Sequence, residues 1–241
     1  MRGLLALLTI TTLACASTTT APQSQPASTN VTRLDGFVPI QWSEKDGKLL
    51  LEIKPGQELI YQISLSSGVG SNPIGLDRGQ LGRTHLVRFD RVGPKLLMVE
   101  PNQRYRAIEG STGEQRAVEE SFASSILWSF SIEEESGGRV VVDASDFFLR
   151  DAHGVARRLG ETRQGSYSVD PKRSAIYMPR TRAFPKNTEV EATITLTTND
   201  EPGRLVSSVS PTPEIVTVRQ HHSFVELPPP GYTPRRFDPR A

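Results

Sequence analysis

The sequence predicts a β-rich α+β fold, mostly antiparallel sheet with one main helix and short helical turns. Three observations support this. Glycine and proline are frequent, at 19 and 18 of 241 residues, which favours strands and turns over long helices. Many short segments alternate apolar and polar residues with a period of two, and one segment has clear helical spacing.

Composition limits the classes of protein that the chain can belong to. The 28 lysines and arginines nearly balance the 27 aspartates and glutamates, for a net charge of +1. That balance argues against a general nucleic-acid binder, so no nucleic-acid partner is expected. The aliphatic content is too high for a fully disordered chain, and the length allows one large domain or two small ones.

The N-terminal segment has the layout of a secretory signal peptide. Met1-Arg2 is positive, and the apolar run of residues 4–10 is too short to span a bilayer. Thr12-Leu13-Ala14 then precedes Cys15, the one cysteine of the chain, although lipoprotein signals usually carry Leu at the first of these positions. We expect a lipoprotein signal at 1–14 with lipidation of Cys15. The chain would then lie in the cell envelope, as an outer-membrane lipoprotein facing the periplasm or the cell surface. The alternative is an ordinary signal peptide cut at Ala14 or just after Ala16.

The remaining chain divides into a tether, a domain and a tail. Residues 15–33 are mostly Ser, Thr, Ala, Gln and Pro, which is typical of a flexible tether. A single β-rich domain is expected at 34–227. Residues 228–241 are rich in proline and arginine and predict an extended tail or linker.

Within the domain, alternating patterns and turn residues predict the strands. Asp46-Gly47, Pro55-Gly56 and Gly93-Pro94 are turn signals between them. The predicted strands are 36–42, 48–54, 58–65, 85–92, 95–100, 126–133, 139–143, 174–178, 188–198 and 214–225.

One main helix is predicted at 114–125. Val118, Phe122, Ser125 and Ile126 fall on one face at helical spacing, with the acidic Glu119-Glu120 off that face. A shorter helical turn is predicted around 146–149.

Residues 66–82 predict a long ordered loop, and loops of this length are often functional. We identify Asn72, Asp77 and Arg78 as candidate contact residues. Two simpler interpretations remain open: a turn-rich loop whose glycines need positive φ, and surface pairing of the nearby arginines with Asp77 and Asp90.

No catalytic arrangement emerges from the residues themselves. The four histidines lack the spacing of a zinc hydrolase helix, and the adjacent His221 and His222 would point to opposite faces of a strand. There is no Gly-x-Ser-x-Gly motif, and sequence alone cannot pair the many carboxylates. We therefore predict no catalytic, cofactor-binding or metal-binding residues.

Several separated segments nevertheless resemble parts of large bacterial zinc-dependent metalloproteases. These segments are 68–80, 88–93, 119–128, 183–190, 222–228 and 234–240. In that family they make up a domain of unknown function before a catalytic domain carrying His-Glu-x-x-His, and the resemblance covers roughly residues 34–241. No zinc ligand or catalytic glutamate of the family has a matching position here, so zinc is expected only in the related full-length proteases.

The resemblance implies a non-catalytic accessory module, whether truncated, split or free-standing. It would assist folding, inhibition or positioning of a metalloprotease catalytic domain, its expected partner, with the membrane contacted through the lipid anchor. The alternative is a free-standing cell-envelope binding lipoprotein with the 66–82 loop as contact surface. A third hypothesis, an enzyme in its own right, lacks a nucleophile–base pair or a metal cluster.

Overall fold

The computed structural model describes residues 31–71, 73–105, 107, 110–229 and 231. The predicted signal peptide, Cys15, most of the tether, Asn72 and the tail from residue 232 lie outside these residues.

Thirteen strands, four α-helices and two 3₁₀ turns make up the described part of the chain. The strands are β1 (Val31–Leu34), β2 (Ile40–Ser43), β3 (Lys48–Ile53), β4 (Glu58–Ser67), β5 (Leu81–Val92), β6 (Lys95–Glu100), β7 (Ser125–Ser136), β8 (Arg139–Asp143), β9 (Ser168–Val169), β10 (Ala175–Ile176), β11 (Arg182–Ala183), β12 (Asn187–Thr197) and β13 (Ile215–Glu226). The α-helices are α1 (Thr112–Ser121), α2 (Ser145–Phe148), α3 (Val155–Glu161) and α4 (Arg204–Ser207), and the 3₁₀ turns are Pro171–Arg173 and Met178–Arg180.

The strands form one sheet in the order β1-β2-β3-β8-β7-β6-β5-β4-β13-β12-β10, with β9 and β11 also paired to β12. Neighbouring strands are antiparallel throughout. The predicted β-rich antiparallel architecture is therefore confirmed. The helices are short and few beside this sheet, so the α+β description fits only loosely.

The sheet curls until its two ends approach each other. The segment before β2 reaches the far side, where the Phe37 amide donates to the Phe184 carbonyl at 2.8 Å. The Thr188 hydroxyl also bonds both the amide and the carbonyl of Val38, at 3.0 and 2.9 Å. These contacts satisfy backbone groups that a sheet edge would leave unpaired.

The core lies inside this curl and follows the alternation of the strands. In β4, Leu59, Tyr61, Ile63 and Leu65 are buried while the residues between them are only partly so. The short helix α2 adds two aromatic rings, Phe147 and Phe148, that are fully buried against the strands.

The main helix differs from its prediction. It ends at Ser121, four residues before the predicted end, because Phe122 is extended and the chain soon enters β7. Its start is well defined, since Ser111 and Glu114 form a reciprocal capping box. None of its residues is buried, and Phe122, which the sequence predicts on one helical face with Val118, lies beyond the helix and stacks on Tyr105 near the surface.

One boundary and one helix also differ from the prediction. The first strand starts at Val31, three residues before the predicted start of the domain at 34. Helix α3 has no counterpart in the prediction, and its first turn is held by Asp151, whose carboxylate accepts from the amides of Gly154, Val155 and Ala156.

Candidate functional site

A polar cluster lies on the outward face of β12 and β13. Val190 and Ala192 of β12 point into the core, so Glu189 and Glu191 point away from it. In the register of the sheet, Glu191 lies opposite His221, and His221 lies opposite Ser64 of β4. The pairing of three strands therefore places these side chains together.

His221 bridges two carboxylates. Its Nε2 lies 2.7 Å from Oε2 of Glu189, and its Nδ1 lies 3.2 Å from Oε1 of Glu191. Both ring nitrogens face acceptors, an arrangement that favours the imidazolium, in which both nitrogens donate. The pKa of His221 is accordingly raised, first by the hydrogen bond to Glu189 and despite partial burial.

Glu189 is held in its charged form by its neighbours. Partial burial would raise its pKa, but hydrogen bonds from His221, Ser223 and Asn187 together lower it below the ordinary value. This carboxylate is thus fully engaged by the cluster.

Glu191 is different, because it is buried and only partly satisfied. Its side chain is 3% exposed, with Arg180 Nη1 at 3.6 Å from Oε1 and Arg219 Nε at 3.9 Å from Oε2. Within the described residues, neither Oε2 nor Arg219 Nε has a hydrogen-bond partner. The Arg219 guanidinium instead lies over the Tyr177 ring, 3.7 Å from its centroid.

Part of this cluster lines a recess of about 340 Å³ beside the 66–82 loop. Arg78 and Gly79 of the loop line one side, and Ser64 and Ser66 of β4 another. Arg180, Glu191 and His221 complete the polar lining. Arg78 is exposed and forms no ion pair with any described residue, so the recess has more positive than negative groups.

The loop that carries Arg78 is ordered, as the sequence predicted. Gly79 donates to the Leu65 carbonyl at 2.7 Å, and Val69 donates to the Leu76 carbonyl at 2.8 Å. Ile74 and Leu76 are buried in the core. Strands β4 and β5 extend further than predicted, so the residues outside them are 68–80.

The three predicted contact residues have different positions. Arg78 lines the recess. Asp77 occupies a turn, where its carbonyl accepts from the Gln80 amide at 3.1 Å. Asn72 lies outside the described residues. The simpler pairing hypothesis holds for Arg88 and Asp90, which are joined at 2.7 and 2.9 Å.

The sequence patterns predicted no role for His221, and none for Glu189, Glu191, Arg180 and Arg219. An alternating Glu-x-Glu in one predicted strand and Arg-x-His-x-Ser in the next was the available signal. His222, in contrast, points into the core, which confirms that the two adjacent histidines face opposite ways.

The other histidines lie apart from this cluster. His85 bonds Glu100 at 2.9 Å, and His153 packs beside Gly82. Across the described residues, no group of three or more His, Cys, Asp or Glu side chains is arranged to hold a metal ion. No described helix has the length and hydropathy of a membrane span.

Comparison with known protein families matches this chain to a family model. A family model described as a domain of unknown function, DUF5117, matches residues 79–241, about two thirds of the chain. Neither curated proteins nor solved structures gave a match. The matched region begins one residue after Arg78 and contains all of β12 and β13. It therefore contains the carboxylate–histidine cluster. The chain therefore belongs to the DUF5117 family of domains of unknown function.

Proposed function

We propose that this chain is a non-catalytic accessory module that binds a partner polypeptide through the recess beside Arg78. The observation that supports it is the exposed Arg78 guanidinium, which forms no ion pair with any described residue and lines the same recess as the buried, incompletely satisfied Glu191. A carboxylate of a partner would pair with Arg78 in this recess. The resemblance noted in the sequence supplies the partner: the catalytic domain of a zinc-dependent metalloprotease, whose zinc would belong to that domain.

The physical basis is a preformed contact surface. The loop is fixed by its own backbone hydrogen bonds and by buried Ile74 and Leu76, so little conformational entropy is lost when it binds. An exposed charge at such a surface contributes mainly to specificity and to the rate of association, and its effect weakens with salt.

The test is a titration of this chain with a separately expressed catalytic domain, carrying His-Glu-x-x-His, from a longer family member. We expect binding that weakens at least tenfold in Arg78→Glu and weakens as salt is raised. Arg204→Glu is the matched control, because Arg204 is also exposed, has no ion pair among the described residues and does not line the recess. Binding unchanged by Arg78→Glu, or no binding by the unmodified chain, would contradict the proposal.

We also propose that the module is exported and held in the cell envelope by lipidation of Cys15. In the producing cell, the chain should then sediment with membranes, and Cys15→Ser should release it. An unmodified N-terminus in the mass spectrum of the mature protein would contradict this part of the proposal.

The second candidate function is a free-standing envelope binding lipoprotein that uses the 66–82 loop as contact surface. The backbone hydrogen bonds that the loop makes within this chain favour this candidate as well. This candidate predicts that the Cys15→Ser variant, which lacks the lipid anchor, still binds purified cell envelopes. Adding Arg78→Glu to that variant should abolish the binding. Binding to the catalytic domain alone would favour the accessory module instead.

A further inference from the structure

The groove under helix α1 is a second surface, and it shares no lining residue with the recess. Its volume is about 430 Å³, and its walls come from α1, the end of β6 and the start of β4. Two aromatic rings, Tyr105 and Phe122, form one wall; they stack with centroids 4.1 Å apart and an interplanar angle of 11°. Both are substantially exposed, at 46% and 37%. A stacked aromatic pair left open to water is the kind of surface on which proline-rich segments dock.

The groove is also acidic. Glu58, Glu119 and Arg88 line it, and Arg88 is already paired with Asp90 at 2.7 and 2.9 Å. Both glutamates lie close enough to Arg88 to act on its charge. Arg104 also lies at this wall, 5.9 Å from the centroid of the Tyr105 ring. Two arginines therefore face the carboxylates of Glu58, Glu119 and Asp90, which leaves one net negative charge and suits a positively charged occupant.

The chain itself carries such an occupant, and it begins at the mouth of the groove. Strand β13 ends at Glu226, which lies opposite Leu59, the neighbour of Glu58. The residues that follow contain Pro234 and Pro239 with Arg235 and Arg236 between them, and Phe237 beside the arginines. Residues 230–241 span up to about 37 Å when extended at about 3.1 Å per residue, ample to cross the groove.

We infer that the C-terminal segment 230–241 docks in the groove under α1 of the same chain. Its prolines and Phe237 would pack on Tyr105 and Phe122, and Arg235 and Arg236 would pair with Glu58 and Glu119. Prolines pre-extend the segment, so docking orders few backbone torsions. The docked segment would cover the exposed aromatic pair and give α1, which buries no residue of its own, a packing partner.

Photocrosslinking of the full chain tests the inference directly. The probe is Phe237→p-benzoylphenylalanine, irradiated at two protein concentrations, with the crosslinks mapped by mass spectrometry. We expect an intramolecular crosslink to peptides that contain Tyr105 or Phe122, with a yield independent of protein concentration. Glu119→Lys should reduce that yield at least fivefold, and Arg235→Glu with Arg236→Glu should restore part of it in the Glu119→Lys chain.

Three results would overturn the inference. The first is a crosslink that maps elsewhere in the chain or is not formed at all. The second is a crosslinked dimer whose yield rises with concentration, which would place the segment on a second copy. The third is a crosslinking yield that is unchanged in both Glu119→Lys and Phe122→Ala. Both side chains are exposed, and circular dichroism would verify that both variants fold. The experiment uses no catalytic domain, so its outcome is separate from that of the proposed function.

Discussion

The hydroxyl of Tyr61 lies 2.7 Å from Nδ1 of His222 inside the curled sheet, in a hydrogen bond that joins β4 to β13. Both residues are fully buried, and the rings of Phe147, Phe148 and Phe224 surround them. Within the described residues, the other ring nitrogen of His222, Nε2, has no hydrogen-bond partner. The bond to Tyr61 is thus the principal polar interaction of this histidine side chain.

Tyr61→Phe should therefore destabilise the fold. The substitution keeps the ring but removes the hydroxyl, which leaves Nδ1 of a buried histidine without a partner. We expect the free energy of unfolding in urea to fall by about 1–3 kcal/mol. Tyr105→Phe is the control, because Tyr105 is exposed, and it should change the free energy by less than about 0.5 kcal/mol. Equal effects of the two substitutions would show that the buried hydrogen bond contributes nothing.

The same histidine should make the fold sensitive to acid. Burial, with Arg150 and His221 nearby, lowers the pKa of His222 to about 3. In the unfolded chain this pKa returns to about 6.5, so between pH 6.5 and 3 the unfolded state binds more protons than the folded one. Stability contributed by neutral His222 is present above pH 6.5 and is lost as the pH falls.

The measurement is urea unfolding at pH 7, 6 and 5. The unmodified chain should lose up to about 1.4 kcal/mol per pH unit from this residue. His222→Gln should be less stable at pH 7 and should lose less stability on acidification. Parallel pH profiles for the two chains would exclude His222 as a source of acid sensitivity.

His221 should act in the opposite direction. Its pKa is raised above 6.5 in the folded state, so its stabilising effect is fully present below pH 6.5 and is lost as the pH rises through the folded pKa. We expect the difference in unfolding free energy between the unmodified chain and His221→Gln to be larger at pH 6 than at pH 9. A difference that grows with pH would contradict the bridged imidazolium between Glu189 and Glu191.

The sequence predicted local features better than the site. Strands 95–100 and 139–143 have the predicted bounds, because alternation and flanking turns are encoded within a few residues. The recess depends on contacts between residues far apart in the chain: Arg78 meets Glu191 and His221 only through the register of β4, β13 and β12. The predicted end of helix α1 is too late for a related reason. Residues that continue its helical spacing in the sequence belong to strand β7 in the structure.

A backbone position offers a stabilising change. Arg163 follows helix α3 with a φ of +59°, the conformation in which glycine is preferred at helix C-termini. Arg163→Gly should raise the free energy of unfolding by up to about 1 kcal/mol, because the side chain's steric cost in this conformation is removed. Arg157→Gly, inside the same helix, is the matched control and should lower it by about 1 kcal/mol. Thermal melts of both variants decide the point, and a lower melting temperature for Arg163→Gly would refute the prediction.

Gly68 is the position where the loop that presents Arg78 is most sensitive to substitution. A methyl group there would overlap the carbonyl oxygen of Leu76 and come within 2.7 Å of the Asp77 carbonyl carbon. These are backbone atoms, so they cannot move aside by changing a rotamer, and the hydrogen bond from Val69 to Leu76 would have to break. The segment that carries Arg78 over the recess would then shift.

Gly68→Ala should therefore lower the free energy of unfolding by about 1–3 kcal/mol. Gly160→Ala is the control, because the space around Gly160 in α3 is open, and alanine there should be neutral or stabilising by up to about 1 kcal/mol. If the proposed contact surface is correct, Gly68→Ala should also weaken binding to the catalytic domain, whereas Gly160→Ala should not. A displaced Arg78 could no longer pair with a partner carboxylate at the same strength. If Gly68→Ala lowers the stability but leaves the affinity for the catalytic domain unchanged, the loop therefore supports the fold but does not form the contact.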